Sequence, residues 1–179
     1  MVSVTQALSP FADFSRVPPA MLEAACLKGS QIHAIIASLL KGLWVPEIPE
    51  NCQPYIDSFN LWFPVVNEVV MVEETLIDKA RGYKGTPDAI LRIKGDEGFT
   101  LVDWKSPVME SKSWRLQISA YRALAMQKGY LIHRTGVLQL SPKGKVAKFR
   151  EYSGTISHDF SVFLNILTGF KFFYGEKQS

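Results

Sequence analysis

The apolar positions change period along the chain. From Ala20 to Leu40 they recur at helical spacing. Pro18-Pro19 precedes them and suits a first helical turn, where proline's missing N–H has no partner to lose. Gly29-Ser30 interrupts the run, so Ser30 is expected to cap a second helix carrying Ile32, His33, Ile36 and Leu40, with Gly42 ending it. Residues 53–63 predict a further short helix, with a strand left open by their aromatics. The pattern then shortens towards period two. Val66 to Ile77, Gly85 to Lys94 and Phe99 to Lys105 predict three strands, the last two joined by a turn at Gly95-Asp96-Glu97-Gly98. Trp114 to Gln127 is an amphipathic helix closed by Gly129. Arg134 to Leu140 and Val146 to Tyr152 predict two more strands, joined by Ser141-Pro142-Lys143-Gly144, and Ile156 to Phe173 a last helix. Residues 1–17 show no period and are expected to be irregular. The order of elements predicts an α/β layer protein with a central mixed β-sheet flanked by helices.

Composition narrows the function classes. The 179 residues suit one domain, and 47% hydrophobic content supports a packed core. No stretch approaches the roughly 18 uncharged apolar residues of a membrane span. Met1 to Pro10 lacks the basic and apolar regions of a secretory signal, so a cytoplasmic protein with no membrane partner is expected. Cys26 and Cys52 are expected to be buried free thiols; two cysteines cannot supply a four-cysteine zinc or iron–sulfur site. A net charge of +3 permits a nucleic-acid partner without requiring one.

Two segments carry candidate chemistry: Gly85-Thr86-Pro87-Asp88 and Asp103-Trp104-Lys105. Side chains alternate faces along a strand, so Asp103 and Lys105 share a face and Trp104 points the other way. The hairpin brings Asp88 alongside Asp103. Two adjacent carboxylates repel unless a cation lies between them, and Mg²⁺ prefers such oxygen ligands. The backbone carbonyl of Trp104 is a further candidate ligand. A bound ion would lower the pKa of a water and stabilise phosphoryl oxygens. Lys105 would then orient the attacking water or neutralise the growing negative charge. A lone D-x-K on a strand is usually two solvated charges; here the flanking Leu101, Val102 and Trp104 predict a buried sheet, where both need a reason. Three further pieces stand in order around this pair: His33 one turn after Gly29, Glu73 on the preceding strand, and Gln117 with Tyr121 four residues on, hence on one helical face.

In this order the pieces resemble the RecB-like branch of the PD-(D/E)xK nucleases. That family is similar in presenting a helix His after a glycine, a Glu strand, G-x-x-D, D/E-x-K and Q-x-x-x-Y, here spread over about residues 28–121. The small size resembles stand-alone, phage-type members. The resemblance implies a restriction-endonuclease-like core over a single domain, 1–179, and a DNA nuclease, expected to be an exonuclease of recombination, replication or repair. It implies Asp88, Asp103 and His33 as ligands of Mg²⁺ or Mn²⁺, Lys105 as the catalytic lysine, and Gln117 and Tyr121 as residues that brace the site or hold DNA. Imidazole suits Mn²⁺ at least as well as Mg²⁺. Glu73 is implied as a catalytic acid, with Glu68 and Glu74 as alternatives that strand parity leaves open. The chain lacks the four cysteines of the iron–sulfur relatives and any G-x-x-x-x-G-K-[ST] phosphate loop, so unwinding would need a helicase or recombination partner.

Outside the centre, Arg115 is a candidate DNA contact with Trp114 and Arg122. Lys143, Lys145, Lys148 and Arg150 cluster on the last hairpin, where edge protection by charge is the favoured reading over phosphate binding. Two rivals remain: a non-catalytic relative that binds nucleic acid or protein, and a structure-selective endonuclease on the same fold.

Overall fold

The computed structural model describes residues 1–11, 17–45 and 47–175. Their order is β1 (Val2–Ser3), α1 (Val4–Leu8), α2 (Pro19–Leu40), α3 (Gln53–Trp62), β2 (Val66–Val72), β3 (Leu76–Asp78), β4 (Tyr83–Gly85), β5 (Ala89–Ile93), β6 (Phe99–Lys105), α4 (Lys112–Gln127), β7 (Ile132–Gln139), β8 (Lys148–Glu151) and α5 (Ile156–Tyr174). The five-stranded sheet runs β2-β5-β6-β7-β8. Its pairings are antiparallel except β6 with β7, which α4 joins as a crossover. A smaller sheet, β1-β4-β3, lies apart from it in pairing. The mixed sheet flanked by helices is the architecture expected.

Alternation along the strands sorts the core into two layers. Ile90 and Leu101 face one cluster with Ile118, Tyr121 and Leu124 of α4 and Phe163 of α5. Ala89, Leu91, Val102 and Trp104 face the other, with Ile32 and Ile36 of α2 and Ile56 and Phe59 of α3. Trp104 is fully buried there, its ring edge-on to Phe59 at 5.5 Å. Asp103 and Lys105 therefore point to the α4 side, as the parity argument requires.

Several boundaries differ from expectation. Gly29-Ser30 does not divide the helix: α2 is continuous. A helical glycine costs only about 1 kcal/mol, and burial of Ile32, Ile36 and Leu40 further on fixes the helix. Gly42 does end it, at φ 66, with Gly42 N–H donating to Leu39 and Leu43 N–H to Ser38, a closure that spends two otherwise unpaired carbonyls. The segment expected to be irregular contains β1 and α1, the latter with a capping box between Ser3 and Gln6. Val4, Ala7 and Leu8 are buried against α4 and α5, which period analysis misses in so short a helix. Residues 12–16 lie outside the described residues. The strand expected from Val66 to Ile77 is two strands, because Glu73 takes a positive φ of 51 between them. Cys52 is buried as expected, whereas Cys26 is exposed on the first half of α2.

Candidate functional site

One end of the large sheet gathers side chains from both layers. Asp88 immediately precedes β5 and stands opposite Asp103 in the antiparallel register, continuing the pair Ala89↔Val102. Both carboxylates are buried, Asp103 to 2% exposure. His33 reaches the same point from α2, its Nδ1 2.9 Å from Asp88 Oδ1. The other Asp88 oxygen accepts the Trp104 N–H at 2.6 Å. A strand residue turns its N–H and C=O to the same neighbour, so the Trp104 carbonyl also faces the Asp88 side. Pro87 has no N–H to offer that carbonyl.

Lys105 Nζ lies 2.5 Å from Asp103 Oδ2 and donates to Gln117 Oε1 at 2.9 Å. The Lys–Asp contact is an ion pair without hydrogen-bond alignment, so Asp103 Oδ2 is buried with no hydrogen-bond partner. Gln117 Nε2 donates to Tyr121 at 3.0 Å and reaches Asp103 Oδ1 at 3.4 Å. Gly85 explains how Tyr121 comes so close: a Cβ there would stand 2.5 Å from Tyr121 Cε1. Spacing expected Gln117 and Tyr121 on one face; only packing shows that glycine admits the ring behind them.

The charges are shifted accordingly. Burial pushes the Asp103 carboxyl up to about 6, with Asp88 adding to the rise and Lys105 and His33 opposing it. Burial works against a charged His33, but the charge and hydrogen bond of Asp88, with Asp103 behind it, outweigh burial and hold its pKa above the ordinary 6.5. Burial raises the Tyr121 hydroxyl well above its usual range, keeping it a neutral hydrogen-bonding group.

The donor types suit a divalent ion: two carboxylates, a backbone carbonyl and the remaining His33 nitrogen. Asp103 Oδ2, which has the Lys105 ammonium beside it but no aligned hydrogen-bond donor, is where a cation would be most stabilising. Asp103 nonetheless already has the Lys105 ammonium beside it and Asp88 has His33, a cation only when protonated; among the described residues no three His, Cys, Asp or Glu side chains converge tightly enough to enclose an ion. An ion here would keep several waters, as Mg²⁺ commonly does, and Lys105 would move off Asp103 Oδ2.

Glu73, its two alternatives and Arg115 stand apart. Glu73 donates its backbone N–H to Asp88 O at 3.0 Å, but its carboxylate pairs with Lys41 at 3.8 Å. Glu68 pairs with Arg92 and Glu74 with Lys128, so none of the three carboxylates joins the cluster through a hydrogen bond or ion pair. Arg115 is turned towards α5, where it makes a two-pronged pair with Asp159 at 3.1 and 2.8 Å. It is two residues from Gln117, hence about 200° round the helix, and here it joins α4 to α5.

Sequence spacing missed a second network. Gln139 Nε2 donates to the carbonyls of Pro107 and Val108, while Gln139 Oε1 accepts from Arg150 Nε. Glu110 accepts from Arg150 and from the Tyr152 hydroxyl. These contacts clamp the connection that follows Lys105. The connection and the residues that hold it lie over 30 positions apart, and no local period links them.

No protein-family model matches the chain, and no curated protein matches it. Solved structures align loosely: a proposed exonuclease from Eubacterium rectale at 8% identity and TM-score 0.46, over 79% of this chain and 68% of that one. LHK-Exo, solved in complex with dAMP, aligns at 14% identity and TM-score 0.42, over 98% and 92%, and SSO0001 at 16% and 0.41, over 92% and 75%.

Proposed function

We propose that this chain is a divalent-metal-dependent deoxyribonuclease of the RecB-like PD-(D/E)xK type, a single domain over residues 1–179, acting as an exonuclease. The observation that carries the reading is the meeting of Asp88, Asp103 and Lys105 at one sheet end, with His33 from one helical layer and Gln117 from the other. Asp88, Asp103, the Trp104 carbonyl and His33 would hold Mg²⁺ or Mn²⁺. The ion, when bound, supplies a Lewis acid for the phosphoryl oxygens and a water of lowered pKa. Lys105 holds its ammonium beside the reacting phosphate and stabilises the charge that grows on it. Gln117 sets the position of Lys105, and Tyr121 sets Gln117. Trp104 N–H fixes one oxygen of Asp88, and His33 fixes the other. The exonuclease mode, the part in phage-type recombination or repair, and a helicase or recombination partner come from the resemblance.

The pairing of Asp103 with Lys105 and of Asp88 with His33 favours one rival, a non-catalytic nucleic-acid-binding relative. Cleavage of end-labelled linear DNA in Mn²⁺, Mg²⁺ or EDTA, by wild type and Lys105→Ala, separates the two. The expected result is metal-dependent cleavage that Lys105→Ala reduces at least ~10²-fold, the scale of losing one charge-stabilising group. Equal cleavage by the variant would overturn the assignment. Absence of cleavage, together with no Mn²⁺-induced rise in Tm, would favour the binding relative. Closed circular DNA left intact would establish the exonuclease mode.

A further inference from the structure

Strand register places a second set of polar residues in line with Lys105. Lys105 pairs with Gln139 across β6 and β7, and Gln139 pairs with Lys148 across β7 and β8. Asp103 pairs with Val137, and Val137 with Arg150. Directly paired residues put their side chains on one sheet face. Asp103, Lys105, Gln139, Lys148 and Arg150 therefore share one face at one end of the sheet. Neighbouring strands lie about 4.8 Å apart, so Lys148 starts about 10 Å from Lys105.

A groove of about 300 Å³ runs there, lined by Val108, Gln139, Lys145, Val146, Lys148 and Arg150 among others. Lys145 and Lys148 are exposed, and neither makes an ion pair among the described residues. Two acidic residues border the area. Glu110 is engaged by Arg150 and Tyr152, and Asp57 accepts from Gln53 beneath the turn at Gly144. The same groove has apolar lining: Val108, on the clamped connection after Lys105, and Val146 are 69% and 54% exposed. Unpaired ammonium groups beside apolar lining in one groove match a strand that offers phosphates on one side and unpaired bases on the other. Gln139, holding both Arg150 and the Val108 carbonyl, fixes the groove's width.

We infer that this groove is a single-stranded nucleic-acid subsite, in which Lys145 and Lys148 hold backbone phosphates of the strand that enters or leaves the Lys105 centre. The inference rests on the nuclease reading for its direction but not for its binding chemistry. β8 is also an edge strand, and edge lysines can serve only to block strand pairing.

Binding of a fluorescent single-stranded oligonucleotide in EDTA, across a salt series, tests it. The variants are Lys145→Ala with Lys148→Ala and, as an equal change of charge elsewhere, Lys79→Ala with Lys84→Ala. The groove variant is expected to bind about tenfold more weakly at low salt. Its log–log salt slope should fall by about 1.4, two phosphates at about 0.7 each, while the control keeps the wild-type slope. An unchanged slope, or an equal fall in the control, would overturn the proposal. So would unchanged binding with new self-association on gel filtration, which would leave the lysines as edge protection. In Mn²⁺ the groove variant should raise KM on a long strand with kcat retained, and behave as wild type on a dinucleotide too short to reach. A wild type that binds through the lysines but never cleaves would sink the nuclease reading and leave the subsite standing.

Discussion

Asp103 shows how much one position can be asked to carry. Its carboxylate is buried and partnered by Lys105, yet burial wins and its pKa rises to about 6. The sign of the consequence is fixed. A carboxyl whose folded pKa exceeds its unfolded value of 3.8 favours the fold when protonated, and that advantage is lost as pH rises through about 6. Above that pH the native carboxylate is a cost that Asn, shaped like the neutral acid, does not bear. Asp103→Asn is therefore expected to raise Tm at pH 8 in EDTA, at about 2–4 °C per kcal/mol for a chain of this size, with the gain vanishing by pH 4. A thermal melt at both pH values checks this. A lower Tm for the variant at pH 8 would mean that the Lys105 pair outweighs burial. The same substitution should abolish metal-dependent cleavage, so that stability and activity move in opposite directions.

Among the elements, α4 is the one whose placement decides the site, and its two faces do different work. Gln117 and Tyr121 face the sheet end, where Gly85 of β4 makes room for the Tyr121 ring. Gly85→Ala would force Cβ to within 2.5 Å of that ring and 3.1 Å of Leu124. Overpacking of this kind costs about 1–3 kcal/mol. The expected outcome is a lower urea midpoint, together with a fall in cleavage larger than in a core variant of equal stability loss, because Tyr121 positions Gln117 and through it Lys105. Activity that tracks stability alone would reduce Gly85 to a packing residue. The strands show the same division of labour: Trp104 anchors β6 in one layer while Asp103 and Lys105 face the other.

At the scale of the molecule, the site exists because two helical layers meet over one sheet end. His33 comes from the layer of α2 and α3, Gln117 from that of α1, α4 and α5. The second layer is itself pinned by Arg115 and Asp159, with Thr155 donating to the same carboxylate at 2.6 Å. Asp159 is 3% exposed, so removing its partner strands a buried charge. Arg115→Ala should destabilise the protein by about 1–3 kcal/mol and leave the salt slope of DNA binding unchanged. Equilibrium unfolding and the salt series check the two halves. A reduced slope at wild-type stability would return Arg115 to the DNA interface.

Local order in the chain sufficed for much of this. The periods of 3.6 and 2 located most helices and strands within a few residues, since each element must bury one stripe or one face. Strand parity set Asp103 and Lys105 together and Trp104 opposite, and the hairpin set Asp88 beside Asp103, because both depend only on near neighbours. Where the sequence misled, longer contacts had decided. Packing kept α2 whole through Gly29-Ser30 and made a helix of Val4–Leu8; it also paired Arg115 with Asp159, a contact that no spacing announces. The carboxylates of Glu68, Glu73 and Glu74 went to Arg92, Lys41 and Lys128, a choice strand parity could not make. Only tertiary structure could align Lys105, Gln139 and Lys148 across three strands, since the parallel pairing of β6 and β7 is set by the crossover through α4 and not by any spacing within the strands.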